Sequence, residues 1–398
     1  MQLSEVLYGI GQWSGILAFV SLAFLIFSGD TARYTDRYFG LDRIIKFQRK
    51  FSFFVASLVF FHPFLFVLSG QSFTHYLIPS FYVLPLAFGT LSFYIFVAVM
   101  LFSHYYKRIS YTAWQYIHVL TYALLFLVLY HAFFWGSHSG NILIRLIYII
   151  FGSAVLVGAA YRTDYKLKEM KRGKFRVKNI RWESDDIYTV AIDCERPFAY
   201  KAGQFCFLRL NQDKLYARHP FTISSAPGDK ELLFSIKNTG RFTAAVSKLQ
   251  PGDEIMIDGP FGRFVEKKNL KDVVMIAGGV GITPFRSLLR DFNAREKNDY
   301  ISLLYCAKTE KDLVFRQEFD SLKKDKFAPL YVLSNEAVSK PDYYQGRISP
   351  EVIKDATRNM AKPTFYICGP EGLKNTAKDI LGNMGVSKHD IVVEDFFW

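Results

Sequence analysis

Four histidines, His62, His75, His118 and His131, sit in or beside stretches that are otherwise almost free of charge. Residues 111–135 run for 25 positions without Lys, Arg, Asp or Glu, long enough to cross a bilayer at about 1.5 Å per residue. His118 and His131 fall inside that run, and His62 and His75, also 13 residues apart, lie two hydrophobic stretches earlier. An ionisable group at membrane depth is costly and marks a functional site by default. Imidazole there points to axial ligation of haem, and two matched pairs point to two b-type haems in layers about 20 Å apart. Thirteen residues leave the two rings of a pair roughly 140° apart on an ideal helix, so a kink is needed, and Pro63 beside His62 offers a place for it. Polar residues satisfied by bonds between helices are the plainer account. That account suits one histidine better than two matched pairs.

The elements that must position these rings are hydrophobic spans. Five occur in the first 165 residues, at about 6–27, 51–69 (to 76 if His75 is included), 81–103, 111–135 and 142–161. The first has no basic segment before it and no small-residue cleavage site, so it is expected to be an anchor and not a removable signal. Arg33, Arg37, Arg43, Lys46, Arg49 and Lys50 lie between the first two spans, Lys107 and Arg108 between the third and fourth, and Arg162, Lys166, Lys168, Lys171 and Arg172 at the end of the fifth. The other two loops carry no Lys or Arg. The positive-inside rule then places the N-terminus outside and the C-terminal half in the cytoplasm of a multi-pass plasma-membrane protein. Both histidine spans run outward, which pairs His62 with His118 on the inner side and His75 with His131 on the outer. Arg145, a lone charge near the outer end of the fifth span, could be a snorkelling anchor; a partner for a haem propionate, or for an anion formed at the outer haem, is the preferred expectation. His104, near the cytoplasmic end of its span, is expected at the interface.

At 398 residues, 51% apolar and with positive mean hydropathy, the chain is neither an ordinary soluble globule nor a bare helical bundle. Its net charge of +13 clusters at span ends, where topology and anionic lipid account for it better than nucleic acid does. No nucleic-acid partner is expected; the lipid bilayer is. The four cysteines, Cys194, Cys206, Cys306 and Cys368, include no CxxC pair, which argues for a reducing compartment and against zinc or iron–sulfur ligation.

Beyond residue 174 the pattern changes to short strand-like runs at 188–192, 204–210 and 232–237, separated by Pro-Gly and Gly-Pro turns, as in a small antiparallel barrel. From 272 strands alternate with helices, as in an open parallel sheet. Strand 273–277 runs into Gly278-Gly279-Val280-Gly281-Ile282-Thr283-Pro284 and then a helix. Glycines at such a turn let backbone N–H groups approach a pyrophosphate, and the helix N-terminus favours its charge. Cys368-Gly369-Pro370 follows strand 364–367 at the edge where a nucleotide would lie, and Cys368 there is a candidate liner of a nicotinamide pocket. As a buried small hydrophobe it would be equally ordinary.

The stretch Arg218-His219-Pro220-Phe221-Thr222-Ile223-Ser224-Ser225, with Ala202-Gly203-Gln204-Phe205, Gly240-Arg241-Phe242-Thr243 and Asp258-Gly259-Pro260-Phe261-Gly262, resembles the FAD-binding module of the ferredoxin-reductase type. The glycine turn and Cys-Gly-Pro resemble its NAD(P) module. Joined to a histidine-paired membrane segment, nearly the whole chain resembles the NADPH oxidase and ferric reductase superfamily, in particular its bacterial NADPH oxidases. The resemblance implies a helical transmembrane di-haem domain at 1–170, an antiparallel β-barrel FAD domain at 171–268 and an α/β Rossmann-like NAD(P) domain at 269–398. It implies that His219, Pro220, Phe221 and Thr222 border the flavin, with Thr222 bonding near its reactive edge and Arg218 holding phosphate. Gly240, Phe242 and Thr243 would cradle the FAD pyrophosphate, and Gly279, Gly281, Thr283 and Pro284 would meet NADPH or NADH. A terminal aromatic, Phe397 or Trp398, would stack on the flavin and yield to nicotinamide. Lys308 and Thr309 could take a 2′-phosphate or be a solvated pair.

Two features depart from the family pattern. Six spans are usual and five are present. In many relatives the first ligand of the earlier helix lies 14 residues before the second and precedes a basic residue; Gln48 followed by Arg49 occupies that place here. Under that alignment His62 would be the outer ligand, facing His131, Gln48 would leave the inner haem poorly ligated, and His75 would be an external loop residue. The His62/His75 assignment is preferred because it completes two bis-histidine sites. The implied activity is a superoxide-generating NAD(P)H oxidase: hydride passes to FAD and electrons then pass singly through the haems to extracytoplasmic dioxygen. A membrane ferric reductase, and a haem-bearing module serving a partner protein, are the alternatives. The chain's own flavin and nucleotide modules predict self-sufficiency without an obligatory protein partner.

Overall fold

In a computed structural model the chain forms two compact units, Met1–Lys171 and Arg172–Trp398. The structure describes residues 3–105, 111–136, 138–171, 173–196, 198–210, 218–268, 270–296, 299–322 and 326–395, with the side chains at 111, 112, 114 and 115 outside that description.

The first unit is helical: α1 (Leu3–Asp30), α2 (Ala32–Phe39), α3 (Leu41–Leu68), α4 (Phe73–Leu77), α5 (Leu84–His104), α6 (Tyr111–Trp135) and α7 (Ile142–Met170). Among the described residues α1, α3, α5, α6 and α7 are long and apolar enough to cross a membrane, which makes this a multi-pass chain. In lipid every backbone polar group must be satisfied within the segment, so apolar runs of this length become helices. The helices extend past the hydrophobic stretches at their charged ends; α3 starts ten residues before the apolar run that begins at 51. Packing joins α1 to α3 and α7, and α5 to α6, around Phe19, Val55, Leu124, Tyr148 and Val155. Phe53, Phe61, Phe126 and Leu156 remain on the outer surface, as a lipid-facing shell requires.

The end of α3 decides one expectation. Gly70 adopts φ +97°, and the Gln71 N–H returns to the Phe66 carbonyl at 3.0 Å, a glycine-terminated helix end. The helix passes through Pro63 but does not reach His75, which lies on the separate short helix α4 and is exposed.

In the second unit β1 (Phe175–Trp182), β2 (Ile187–Cys194) and β5 (Leu232–Lys237) form one antiparallel sheet, and β4 (His219–Thr222), β3 (Phe205–Arg209) and β6 (Met256–Phe261) another. Tyr188, Ile192, Leu208, Ile223 and Phe234 fill the space between them. The short helix α8 (Arg241–Val246) follows β5. The remainder alternates: β7 (Val273–Gly278), α9 (Thr283–Ala294), β8 (Ile301–Ala307), α10 (Arg316–Ser321), β9 (Phe327–Leu333), β10 (Tyr343–Gln345), α11 (Pro350–Ala356), β11 (Thr364–Cys368), α12 (Glu371–Asn383) and β12 (Ile391–Val393). Its six strands are all parallel, in the order β10-β9-β8-β7-β11-β12. The order reverses direction between β7 and β11, and an open α/β sheet receives its ligand at such a point. Apolar clusters cover both faces.

Candidate functional site

Within the helical unit α1, α3, α5 and α6 enclose a cavity of about 310 Å³ lined by His62, His131, Gly15, Gly89, Phe66 and Phe93 among others. Each imidazole packs closely against a glycine of a neighbouring helix. A Cβ on Gly15 would come within 2.5 Å of the His62 ring, and one on Gly89 within 2.5 Å of His131. Each ring is also tethered to a carbonyl four residues before its glycine. His62 Nδ1–H donates to Gly11 O at 2.8 Å and His131 Nδ1–H to Pro85 O at 2.9 Å. A carbonyl can only accept, so Nδ1 carries the proton and Nε2 keeps its lone pair. This is the tautomer and the backbone bond that metal-ligating histidines use. His62 and His131 are the residues of this cavity that could hold a haem iron.

The pairing differs from the preferred expectation. His62 shares the cavity with His131, not with His118, and His75 is absent from the lining. The reason is the glycine stop after α3, which puts His75 outside the helix. Arg145 is also elsewhere: it is exposed, its Nε donates to Ser139 O, and its guanidinium lies 5.2 Å over Phe133.

His118 lies one layer away, on the side of Asp30 and Arg162. Around it are Asp30 and Arg162 as electrostatic neighbours. Asp30, buried, accepts from Tyr122 Oη at 2.6 Å and pairs with Arg162 at 3.2 Å. Gln48 Nε2 donates to Ser28 Oγ at 3.1 Å in the same layer.

In the second unit β4 carries His219, Pro220, Phe221 and Thr222 along the edge of its sheet, paired to β3. The His219 ring stacks on Phe242 at 4.0 Å, and Phe221 lies nearly parallel to Phe242 at 5.9 Å. Burial holds His219 below the ordinary imidazole value, so it is neutral at pH 7, a packing and hydrogen-bonding group. Arg218 is oriented by Asp258, fully buried, at 3.2 Å. Thr243 Oγ1 accepts from the N–H groups of Thr239 at 3.0 Å and Gly240 at 2.9 Å, shaping the turn into α8.

At the carboxyl edge of the parallel sheet the two nucleotide motifs interlock. A Cβ on Gly281 would strike Cys368 O at 2.5 Å, and one on Gly278 would strike Leu373 at 2.5 Å and Pro370 at 2.9 Å. Gly279 takes φ +51° and Gly369 φ +158°. Thr283 Oγ1 bonds Val280 O at 3.0 Å, and Pro284 opens α9, whose first-turn N–H groups form the usual anion site. Cys368 is buried, and burial pushes its thiol well up, so it is a neutral wall and not a nucleophile. Beside β12, Lys374 holds Asp395 at 2.6 Å as the tail returns to this edge; Phe397 and Trp398 lie outside the described residues. Thr309 is occupied as a cap, with its N–H and hydroxyl both on Asp312 Oδ2 at 2.9 Å, while Lys308 is exposed.

The flavin and nucleotide motifs are clamped together. Ser287 Oγ on α9 donates to Ser225 O, at the end of the Arg218–Ser225 stretch. Arg290 bridges Asp229 at 3.0 Å and Glu318 at 2.6 Å, and buried Arg286 meets Glu318 at 2.9 Å.

Comparison with known proteins yields three family matches in register with these parts. Residues 13–129 match the ferric reductase like transmembrane component, 172–264 an FAD-binding domain and 275–379 the oxidoreductase NAD-binding domain. The chain has the architecture of the NADPH oxidase and ferric reductase superfamily. Among curated relatives, one subunit of the Na(+)-translocating NADH-quinone reductase of Actinobacillus pleuropneumoniae is 29% identical over 165 residues, and the same subunit from Neisseria meningitidis is 30% identical over 170. Each match covers 39% of this chain and 40% of the relative, so the chain spans well under half the length of these proteins. Among solved structures, a ferredoxin NADP+ reductase from Neisseria gonorrhoeae with bound FAD and NADP aligns with TM-score 0.50 at 24% identity, covering 56% of this chain and 98% of that one. The flavohem-like FAD/NAD binding domain of a nitric oxide dioxygenase from Vibrio cholerae gives 0.51 at 23%, covering 56% and 99%. Both show the ferredoxin-reductase-like fold.

Several residues of the cavity are not among those expected from sequence: Gly15, Gly89, and the carbonyls of Gly11 and Pro85. A signal for the first existed, since Gly15 and Gly29 are 14 apart on α1, as Gln48 and His62 are on α3. Asp30, a lone acid at the end of an apolar span, was also missed.

Proposed function

We propose that this protein is a transmembrane NAD(P)H oxidase that carries electrons from a cytoplasmic nucleotide, by way of flavin and haem, to dioxygen on the opposite face of the membrane. One NAD(P)H gives up a hydride, that is two electrons, and two dioxygen molecules leave as two superoxides with one proton released. The observation that carries the reading is the cavity between His62 and His131, each ring tethered through Nδ1 so that Nε2 is left to bind iron. When bound, flavin converts a two-electron donor to one-electron steps and haem relays single electrons. The protein's part is to bind and orient. The clamp Ser287–Ser225 and Arg290–Asp229 sets α9 against the flavin motif, and the glycine turn admits the nucleotide phosphates. His62 and His131 would hold the haem iron between them, and the haem would then pass electrons to an acceptor that the iron does not itself bind. The lysines and arginines at the α1–α3 connection and the end of α7 support a cytoplasmic second unit.

The match of residues 13–129 to a ferric reductase like component favours a second reading, a chelated ferric ion as acceptor. With purified full-length protein and NADPH, the oxidase predicts cytochrome c reduction abolished by superoxide dismutase. Reduction of ferric chelate at the same rate with and without dismutase, and without dioxygen consumption, would select the reductase.

A further inference from the structure

The helix pair α1 and α3 carries one arrangement twice. Gly15 faces His62. Fourteen residues along α1, Gly29 faces Gln48, its added Cβ falling 3.5 Å from Gln48 Nε2, and Gln48 is 14 residues before His62. Fourteen residues are close to four turns, a rise of about 21 Å, so the second pair lies on nearly the same faces one layer down. Helix α6 also repeats, with His118 13 residues before His131. The lower layer thus has a ligand position on α3, but an amide fills it. Imidazole is a proper partner for haem iron, whereas a carboxamide is a weak neutral donor, and this one is turned to Ser28 Oγ.

No other histidine makes up the difference. The chain has eight. His75 is exposed on α4, and His104 is exposed at the end of α5 with its ring edge-on to Tyr105 at 4.9 Å. His138 sits beside Trp13 at 5.3 Å, on the side of the upper layer, and His219 and His389 belong to the second unit. Beside His118 the layer holds the Asp30–Arg162 ion pair with Tyr122. Asp30 Oδ1 accepts from both Tyr122 and Arg162, while its Oδ2 is buried without a hydrogen-bond partner among the described residues.

We infer that this chain holds one bis-histidine haem, between His62 and His131, and that the layer of Gln48 and Arg162 offers iron one imidazole, His118, with the Gln48 amide where a second would be needed. The inference rests on the reading that the helical unit binds haem at all. It is tested on detergent-purified full-length protein by haem per chain (pyridine haemochrome) and by the spin count of low-spin ferric haem in electron paramagnetic resonance. The wild type gives one low-spin haem per chain. His62→Ala and His131→Ala give none, His118→Ala and His104→Ala each keep one, and Gln48→His gives two. Two low-spin haems in the wild type, loss of the signal in His118→Ala with retention in His62→Ala, or a count still at one in Gln48→His would each overturn the inference. A wild type that binds no haem under any reconstitution overturns the proposed function itself, a separate result.

Discussion

A missing methyl group is what lets each imidazole of the cavity lie against the next helix. With 2.5 Å between a built Cβ and either ring, Gly89→Ala pushes His131 off Pro85 O, and Gly15→Ala pushes His62 off Gly11 O. Each variant is expected to lose haem several-fold with unchanged far-ultraviolet circular dichroism; full haem content in both would remove the glycines from the site. At the nucleotide edge, Gly281→Ala would drive a methyl into Cys368 O at 2.5 Å. Anaerobic stopped-flow should show flavin reduction by NAD(P)H slowed tenfold or more, about 1.4 kcal/mol, with FAD content unchanged. The neighbouring Cys368 thiol is buried and pushed up. Iodoacetamide at pH 8 should spare it in the folded protein and modify it after denaturation, as mass mapping would show.

At the scale of elements, the join between α9, α10 and the flavin barrel combines ion pairs with an apolar seam in which Phe264 packs on Phe285. Burial works against the Glu318 charge, yet Arg290 and Arg286 hold its carboxyl net below the ordinary value of 4.5. A depressed carboxyl stabilises the fold above its unfolded value and loses that contribution as pH falls through the folded one. The second unit should therefore lose stability below about pH 4.5 more steeply in the wild type than in Glu318→Gln. Because Arg286 is 2% exposed, removing its partner strands a buried charge. We expect Glu318→Gln to cost about 2–3 kcal/mol at pH 7, roughly 5–10 °C in Tm, read by differential scanning calorimetry. Most elements were legible because their signals are local: apolar length for the spans, alternation for β2, β3 and β5, and a glycine turn between β7 and α9. Strands β10 and β12 have three residues each and gain their place only by pairing with β9 and β11, which no periodicity reveals. The stop after α3 is legible in Ser69-Gly70, whereas the equal spacing of the two histidine pairs carries no information about where the helix ends.

Across the whole molecule, a nucleotide module, a flavin module and a ferric reductase like transmembrane component occur on one chain, and the Nδ1 tethers of His62 and His131 carry the proposal that the helical unit binds iron. The flavin and nucleotide residues were readable as motifs, each contiguous in sequence. The cavity was not, because His62 and His131 come from helices 69 residues apart and meet only through α1 and α5. The most direct test is an anaerobic NADPH titration of detergent-purified, haem-replete protein, followed by a pulse of dioxygen. The account predicts bleaching of the flavin, then a sharp reduced-haem α band, then rapid reoxidation of both with superoxide formed. In His131→Ala the flavin should bleach alone and dioxygen should consume it only slowly. Equal rates of acceptor reduction in wild type and His131→Ala would contradict the account.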